Sequence, residues 1–344
     1  MAKKKKEHIA PLEMTEVLLH NDPHIWTKLY TEGVADILKI KKYCLEMGYK
    51  DSAALLYALT EWRRHKMIFD FHEELVELLM DINGLDDDIP CEVLMQLPYN
   101  GIYIKLPSKM LNVTRLKTIY TEVTENMAID GFFFYVDTSI GAIAKESPYA
   151  SIVTVFEDQR SLSVGFSLEK GKSLRQGMSE IVNPNEDVLR ISNTFLQLVL
   201  YLCAVNADIE ENYEQKEIYE HNHQPQQETQ QANDKKENLL KTPESDKDKA
   251  SVPDSFKELR KWDVGYRYGA AVKRIKKEQK QQKNEYPKKE GSHARKRTHS
   301  RRGHLHSFWR GSQKDGTRQI FVKWLSPIIV NGQYENIVTI RKVK

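Results

Sequence analysis

Residues 292–311, SHARKRTHSRRGHLHSFWRG, crowd imidazoles, guanidiniums and aromatic rings into one short stretch. If the chain enters a strand near Arg302, alternation puts Arg302, His304, His306, Phe308 and Arg310 on one face and Leu305, Ser307 and Trp309 on the other. The next apolar segment alternates in the same way, with Arg318, Ile320, Val322 and Trp324 opposite Phe321, Lys323 and Leu325. Two imidazoles would then lie side by side beneath arginines, and three chemistries compete for them. A metal centre wants three or four ligands, and the only further donors nearby are His293 and His299, with no Cys or acidic ligand beside them, so no metal is expected. Metal-independent RNA cleavage could use His304 and His306 as acid and base, since an imidazole pKa near ~6.5 permits either role. Spacing alone does not separate such a catalytic pair from a neutral structural one. The preferred reading is a cationic, aromatic binding surface. Arg295, Lys296, Arg297, Arg301, Arg302, Arg310 and Lys323 would hold phosphates while Trp309, Phe308 or Trp324 packs or stacks. Trp309 and Trp324 also have the ordinary use of strand aromatics, which is to fill a small core.

The charge distribution favours a polyanion as partner. Over 344 residues the net charge is only +3, from 52 Lys plus Arg against 49 Asp plus Glu. Residues 1–254 nevertheless hold 28 basic and 42 acidic side chains, while residues 255–344 hold 24 and 7. An acidic globular part and a basic part are the simplest reading of such asymmetry, with nucleic acid the leading partner. Three scattered cysteines, Cys44, Cys91 and Cys203, offer neither a disulfide framework nor a zinc spacing, which suits a reducing compartment. MAKKKKEH is followed by no uninterrupted apolar core of the signal-peptide kind, and the longest apolar run, Phe195–Val205, is about half the ~20 residues of a spanning helix. A cytoplasmic protein with no membrane partner is expected. Walker A, GxGxxG, GxSxG and HExxH signatures are missing, which argues against an orthodox metabolic enzyme, and no cofactor is expected. Asp86, Asp87 and Asp88 lack EF-hand spacing and read as a solvated loop. Arg63 and Lys66 in WRRHK read as the charged outer face of a helix.

These residues need a scaffold, and its elements can be read from periodicity. Apolar residues recur at three and four from Leu12 to Ile82, including Leu55, Leu56, Leu59, Trp62, Ile68, Phe71, Leu75 and Leu78, which predicts two or three packed helices. Between Asp87 and Lys170 the runs GIYIKL, GFFFYVDT, SIVTVFED and SLSVGFSL predict short strands, with EDQR turning an antiparallel hairpin. A helix should start near Asn185 and lay its apolar stripe over one face of the sheet. Residues 210–254, rich in Gln, Glu, Lys, Asp and Asn, read as a disordered linker. FKELRKWDVGYRYGAAVKRIKKEQKQQ reads as a basic helical piece. The end predicts a small antiparallel sheet, with Asn331-Gly332 as a two-residue turn. The expected architecture is therefore α+β: a helical plus antiparallel-sheet domain over 1–209 with a covering helix, a linker over 210–254, and a basic C-terminal β module over 255–344.

The order HARKRTHSRRGHLHSFWRG, a short loop, then TRQIFVKWLSPIIVNG resembles the terminal signature of the second-named family of type V-A anti-CRISPR proteins, carried by phages and other mobile elements of bacteria. The likeness covers Ser292–Gly332 and attaches to Arg301, Arg302, Gly303, His304, His306, Trp309, Trp324, Pro327 and Asn331. Leu305 stands where many relatives are expected to carry a larger aromatic residue. The resemblance implies an inhibitor of the type V-A effector nuclease, Cas twelve-a, acting in the bacterial host cell before the effector accumulates. It implies recognition of the nascent N-terminal peptide of the effector and destruction of the effector mRNA being translated, with the ribosome and a host nuclease as further partners. It assigns none of these residues a catalytic role. A histidine-dependent ribonuclease and a non-catalytic DNA- or RNA-binding regulator stand as the alternatives.

Overall fold

The computed structural model describes residues 8–21, 53–82, 89–97, 99–113, 116–117, 122–123, 126–137, 147–179, 186–212, 259–285, 299–301 and 303–330. After helix α1 (Ala10–Asn21) come α2 (Ala53–Trp62), strand β1 (Met67–Phe71), α3 (Glu73–Met80) and a 3-10 turn at Cys91–Gln96. Next are β2 (Gly101–Lys105), the two-residue strands β3 (Asn112–Val113), β4 (Leu116–Lys117) and β5 (Glu122–Val123), then the long β6 (Met127–Asp137), β7 (Tyr149–Phe156) and β8 (Ser161–Ser167). The chain continues through α4 (Leu174–Ser179), α5 (Glu186–Cys203), β9 (Ile209–Glu211), β10 (Arg260–Val264) and α6 (Tyr266–Glu285). It ends in β11 (His299–Arg301), β12 (His304–Arg310), β13 (Gln319–Leu325) and β14 (Ile328–Val330).

The expected α+β class holds, and the large sheet runs β8-β7-β6-β2-β1-β10-β9 with β3 on the end of β6. From β8 to β2 every pairing is antiparallel, as expected. At β1 the sheet turns mixed, because β1 lies parallel to both β2 and β10. Both faces are covered, not one. Phe132, Phe134 and Val136 of β6 enter one core with α5, whereas Phe133 and Tyr135 enter a second core with Ala10 and Met14 of α1 and Leu56 and Leu59 of α2. Burial on both faces explains why β6 reads as the nearly continuous run GFFFYV instead of an alternation. On the first face Phe195 of α5 stacks on Phe132 with centroids 4.0 Å apart, so the expected covering helix sits where its stripe points. The EDQR hairpin also forms, with Gln159 at φ 68 and Gln159 N donating to Phe156 O at 2.9 Å.

Two elements differ from expectation. Ile68 and Phe71, read as a continuing helix, lie in β1 between β2 and β10. A buried five-residue strand, MIFDF, with Asp70 as its one charged residue, is too short for periodicity to tell from a helical turn. The front of the C-terminal basic piece is likewise a strand: β10 pairs with β1 and β9, so residues read as part of a separate C-terminal module complete the main sheet. Asn212 closes this edge, its N–H donating to Lys261 O at 2.9 Å and its side-chain amide to Asp263 Oδ2 at 2.9 Å. Most of the expected linker lies outside the described residues, yet its two flanks, β9 and β10, are hydrogen-bonded neighbours.

Candidate functional site

The His/Arg/Trp stretch is carried by β12, which pairs antiparallel with β13 in the register His304 with Leu325, His306 with Lys323, Phe308 with Phe321 and Arg310 with Gln319. From His304 to Arg310 and from Gln319 to Leu325 the two-faced alternation expected from sequence is the one observed. Leu305, Ile320, Val322 and Trp324 are buried against the main body, with Val322 fully enclosed. Trp324 meets Tyr201 of α5 edge to face at 5.9 Å. Asn206, just after α5, clamps β13 at the backbone: its amide donates to Trp324 O and its carbonyl oxygen accepts from Trp324 N, both at 2.9 Å. Val205 N donates to Val322 O at 2.9 Å, and Gln96 Nε2 to Ile320 O at 2.6 Å. The hairpin is thus mounted by one face and one strand edge on α5 and the 3-10 turn. Among the described residues its opposite face is left uncovered.

Three of the motif residues turn out to be packing partners of one another. A Cβ on Gly303 would lie 2.7 Å from the Trp324 ring and 2.9 Å from Pro327 Cδ, so only glycine lets the chain enter β12 across that indole. Leu305 is buried directly opposite Trp324 and leaves the room that the indole occupies. Trp324 therefore takes the ordinary use of a strand aromatic, whereas Trp309 does not. Near the hairpin tip Trp309 is 49% exposed, and the Arg318 guanidinium carbon sits 4.5 Å above its ring, a cation–π pair open to solvent.

On the outer face the rings of His304 and His306 are 6.3 Å apart and those of His306 and Phe308 4.5 Å apart, each pair edge on. Phe308 is 42% exposed, Arg310 and Lys323 are exposed, and Phe321 is half-buried beside them. The turn beyond is closed by Gly311 at φ 95 and Gly316 at φ 67, conformations that glycine adopts at no steric cost. Arg301 sits in β11, paired with Ile328 of β14. Arg295, Lys296, Arg297, Arg302 and Asn331 lie outside the described residues, as do Asp86, Asp87 and Asp88 and the Asn331-Gly332 turn. Among the described residues no group of three or more His, Cys, Asp or Glu side chains is placed to hold a metal, and no helix is long and apolar enough to cross a membrane.

A second polar constellation went unforeseen, at the end of α2. Arg63 and Lys66, read as surface charges, are 5% and 4% exposed, beside Glu61 at 3%. The helix stops at Trp62, and Lys66 turns the chain at φ 47 into β1, so neither cation lies on a helix surface. Burial raises the Glu61 carboxyl above the usual range against the opposing pull of Arg64, with Asp137 adding to the rise. Burial, then Arg63, lowers the Lys66 ammonium to about 8. The one available signal was four charged or polar residues directly after the buried helix AALLYALTEW. Such residues are enclosed too deeply to present a face to a macromolecule, so the hairpin is the better candidate interface.

Compared with known proteins, residues 69–332 match the model of the AcrVA2-like family, described as the anti-CRISPR type V subtype A2 family. The match takes in both the main sheet and the hairpin. The crystal structure of AcrVA2 aligns with 93% of this chain and 92% of its own at 18% identity and a TM-score of 0.49. A search of curated proteins finds no match.

Proposed function

The chain belongs to the AcrVA2-like, anti-CRISPR type V subtype A2 family, and from that premise we propose that it blocks biogenesis of the type V-A effector nuclease, Cas twelve-a, at the stage of translation. On this reading the protein recognises the N-terminal segment of the nascent effector polypeptide and triggers decay of the mRNA being translated. One observation carries the proposal: the family match spans residues 69–332, from within β1 to just past β14, and so takes in both the sheet and the basic hairpin. Support comes from the charge division, with 24 basic against 7 acidic residues after position 254, because a protein that meets both a peptide and a transcript needs one surface suited to phosphates.

The test is co-expression with the effector, measuring effector protein and transcript together beside a control transcript whose start codon is disabled. Both should fall only when translation is possible, and synonymous recoding of the effector gene should leave inhibition intact because the peptide is unchanged. Transcript loss without translation, or escape through synonymous changes, would show that RNA sequence is read instead. A second reading draws on the adjacent His304 and His306 rings. Two imidazoles on one solvent-facing strand face have the residue types of an acid–base pair for direct RNA cleavage.

A further inference from the structure

We propose that the outer face of the β12–β13 hairpin is a binding surface for single-stranded RNA, with His306, Phe308 and Phe321 as its stacking platform and Arg310 and Lys323 as its phosphate contacts. The inference deepens the transcript-directed reading above and rests on it for the choice of RNA over DNA. Four observations carry it. Phe308 is 42% exposed in the middle of a paired strand, with His306 at 4.5 Å and Phe321 across the ladder as its ring neighbours among the described residues. Cations flank the rings on both strands, and among the described residues that face holds no acidic side chain: it comprises His304, His306, Phe308 and Arg310 with Gln319, Phe321, Lys323 and Leu325. Charge complementarity extends beyond the face, since the segment holding it has 24 basic and 7 acidic residues. Finally, the platform is fixed from behind by the Asn206 clamp on Trp324 and by Gln96, so little ordering remains to be done on binding.

Geometry selects a single strand over a duplex. The His306 and Phe308 rings lie 4.5 Å apart and 83° to one another, so two bases stacked on them cannot be parallel as in a duplex strand and must be splayed, the arrangement of single-strand recognition. A two-stranded ribbon can enter a major groove, but it must stand clear of its own protein, and this one is sunk along its other face onto α5 through Leu305, Val322 and Trp324.

The experiment titrates the purified full chain into a fluorescein-labelled oligouridylate of about 12 nucleotides and follows anisotropy across a salt series, with blunt duplex DNA of equal length as the rival probe. Saturable binding is expected, weakened roughly tenfold by Phe308→Ala, a loss in keeping with one stacked base. Arg310→Gln with Lys323→Gln should lower the slope of log affinity against log salt by about 1.4, two single-strand phosphate contacts. An unchanged denaturation midpoint for each variant shows that the hairpin is still seated on α5. No binding by the wild-type protein, unchanged affinity in Phe308→Ala, or tighter binding to the duplex overturns the proposal. Co-expression with the effector is scored separately: if the wild-type protein fails to lower effector and transcript, the translational reading falls, while the oligonucleotide titration alone still decides whether this surface binds RNA.

Discussion

Residue types announced the chemistry of this chain, and their positions divided it. His304 and His306 share the outer face with Phe308 and Arg310, so among the described residues they form the edge of a platform. Cleavage by a positioned imidazole pair needs the scissile phosphate held while water is excluded, and an open face supplies only the holding. The His304→Gln, His306→Gln double variant is therefore expected to weaken oligouridylate binding a fewfold, through the lost His306 ring, and to reduce effector and transcript loss in co-expressing cells without abolishing it. Loss of a wild-type cleavage activity from the purified double variant would instead make the two residues acid and base. Lys66 belongs to the same scale through its stability linkage. Its ammonium is lowered to about 8 in the folded protein against an ordinary value of 10.5, so between those values the unfolded chain binds more protons. This group alone should then raise stability with pH across that window, at no more than about 1.4 kcal/mol per pH unit, as the penalty on the buried cation is relieved, while the buried Cys203 thiol, pushed up from 9.0 to about 12, acts in the opposite sense above pH 9. Lys66→Met should flatten that slope and raise stability near pH 7. Urea melts of both proteins from pH 7 to 10.5 check it: wild-type stability minus that of Lys66→Met should rise between pH 8 and 10.5, and a difference that falls would refute it.

Among elements, contact across a boundary set what the sequence could and could not say. Strands β6, β7 and β8 and helix α5 were legible because each is long or bounded by turns, and the Phe132–Phe195 stack joins two of them. Strand β1 was not, since Met67–Phe71 is a buried run with an apolar helix on either side, and only its pairing with β2 and β10 makes it a strand. The hairpin alternation was legible, but the meaning of its motif was divided: Gly303, Trp324 and Pro327 serve packing. Gly303→Ala should cost about 1–3 kcal/mol from the forced shift of the indole. Shortening that ring in Gly303→Ala, Trp324→Phe should recover part of the loss, so a denaturation double-mutant cycle should show coupling; additive losses would break the link. At the start of α6 the buried Asp208 accepts from Arg267 Nε at 2.6 Å and Tyr268 N at 3.1 Å, while its own N–H donates to the Tyr201 hydroxyl at 3.1 Å. Asp208→Asn should cost about 1–3 kcal/mol for the weakened buried acceptor. Removing the exposed Asp158–Arg160 pair should cost well under about 1 kcal/mol. Equal losses at the two sites would show that burial is not what makes Asp208 matter.

For the whole molecule the charge division is real while the spatial division inferred from it is not, for reasons that lie in β9 and β10. A compositional change at residue 210 suggests a tether between separate bodies, yet composition carries no information about where the chain returns. It returns beside its point of departure: Trp262 pairs with Glu211, Asp263 with Glu210 and Val264 with Ile209, and Gly265 N donates to Asp208 O at 2.8 Å. The basic part is thereby built onto the acidic part through a shared sheet, through α6 on α3 at the close approach of Gly269 to His72, and through the hairpin on α5. Asn212 and Leu259 are thus the two ends of a connection between adjacent antiparallel strands. Replacing 215–256 by a short Gly/Ser turn is predicted to leave the sheet and hairpin folded. In loop-closure terms the change should stabilise by roughly 1–2 kcal/mol, because each halving of a flexible loop returns about 0.6 kcal/mol. Cooperative unfolding in one transition, at a denaturant midpoint equal to or above that of the full chain, is the expected result. If the shortened chain unfolds in two separated transitions, the hairpin and the sheet are independent bodies and the shared core at Leu305, Val322 and Trp324 does not couple them.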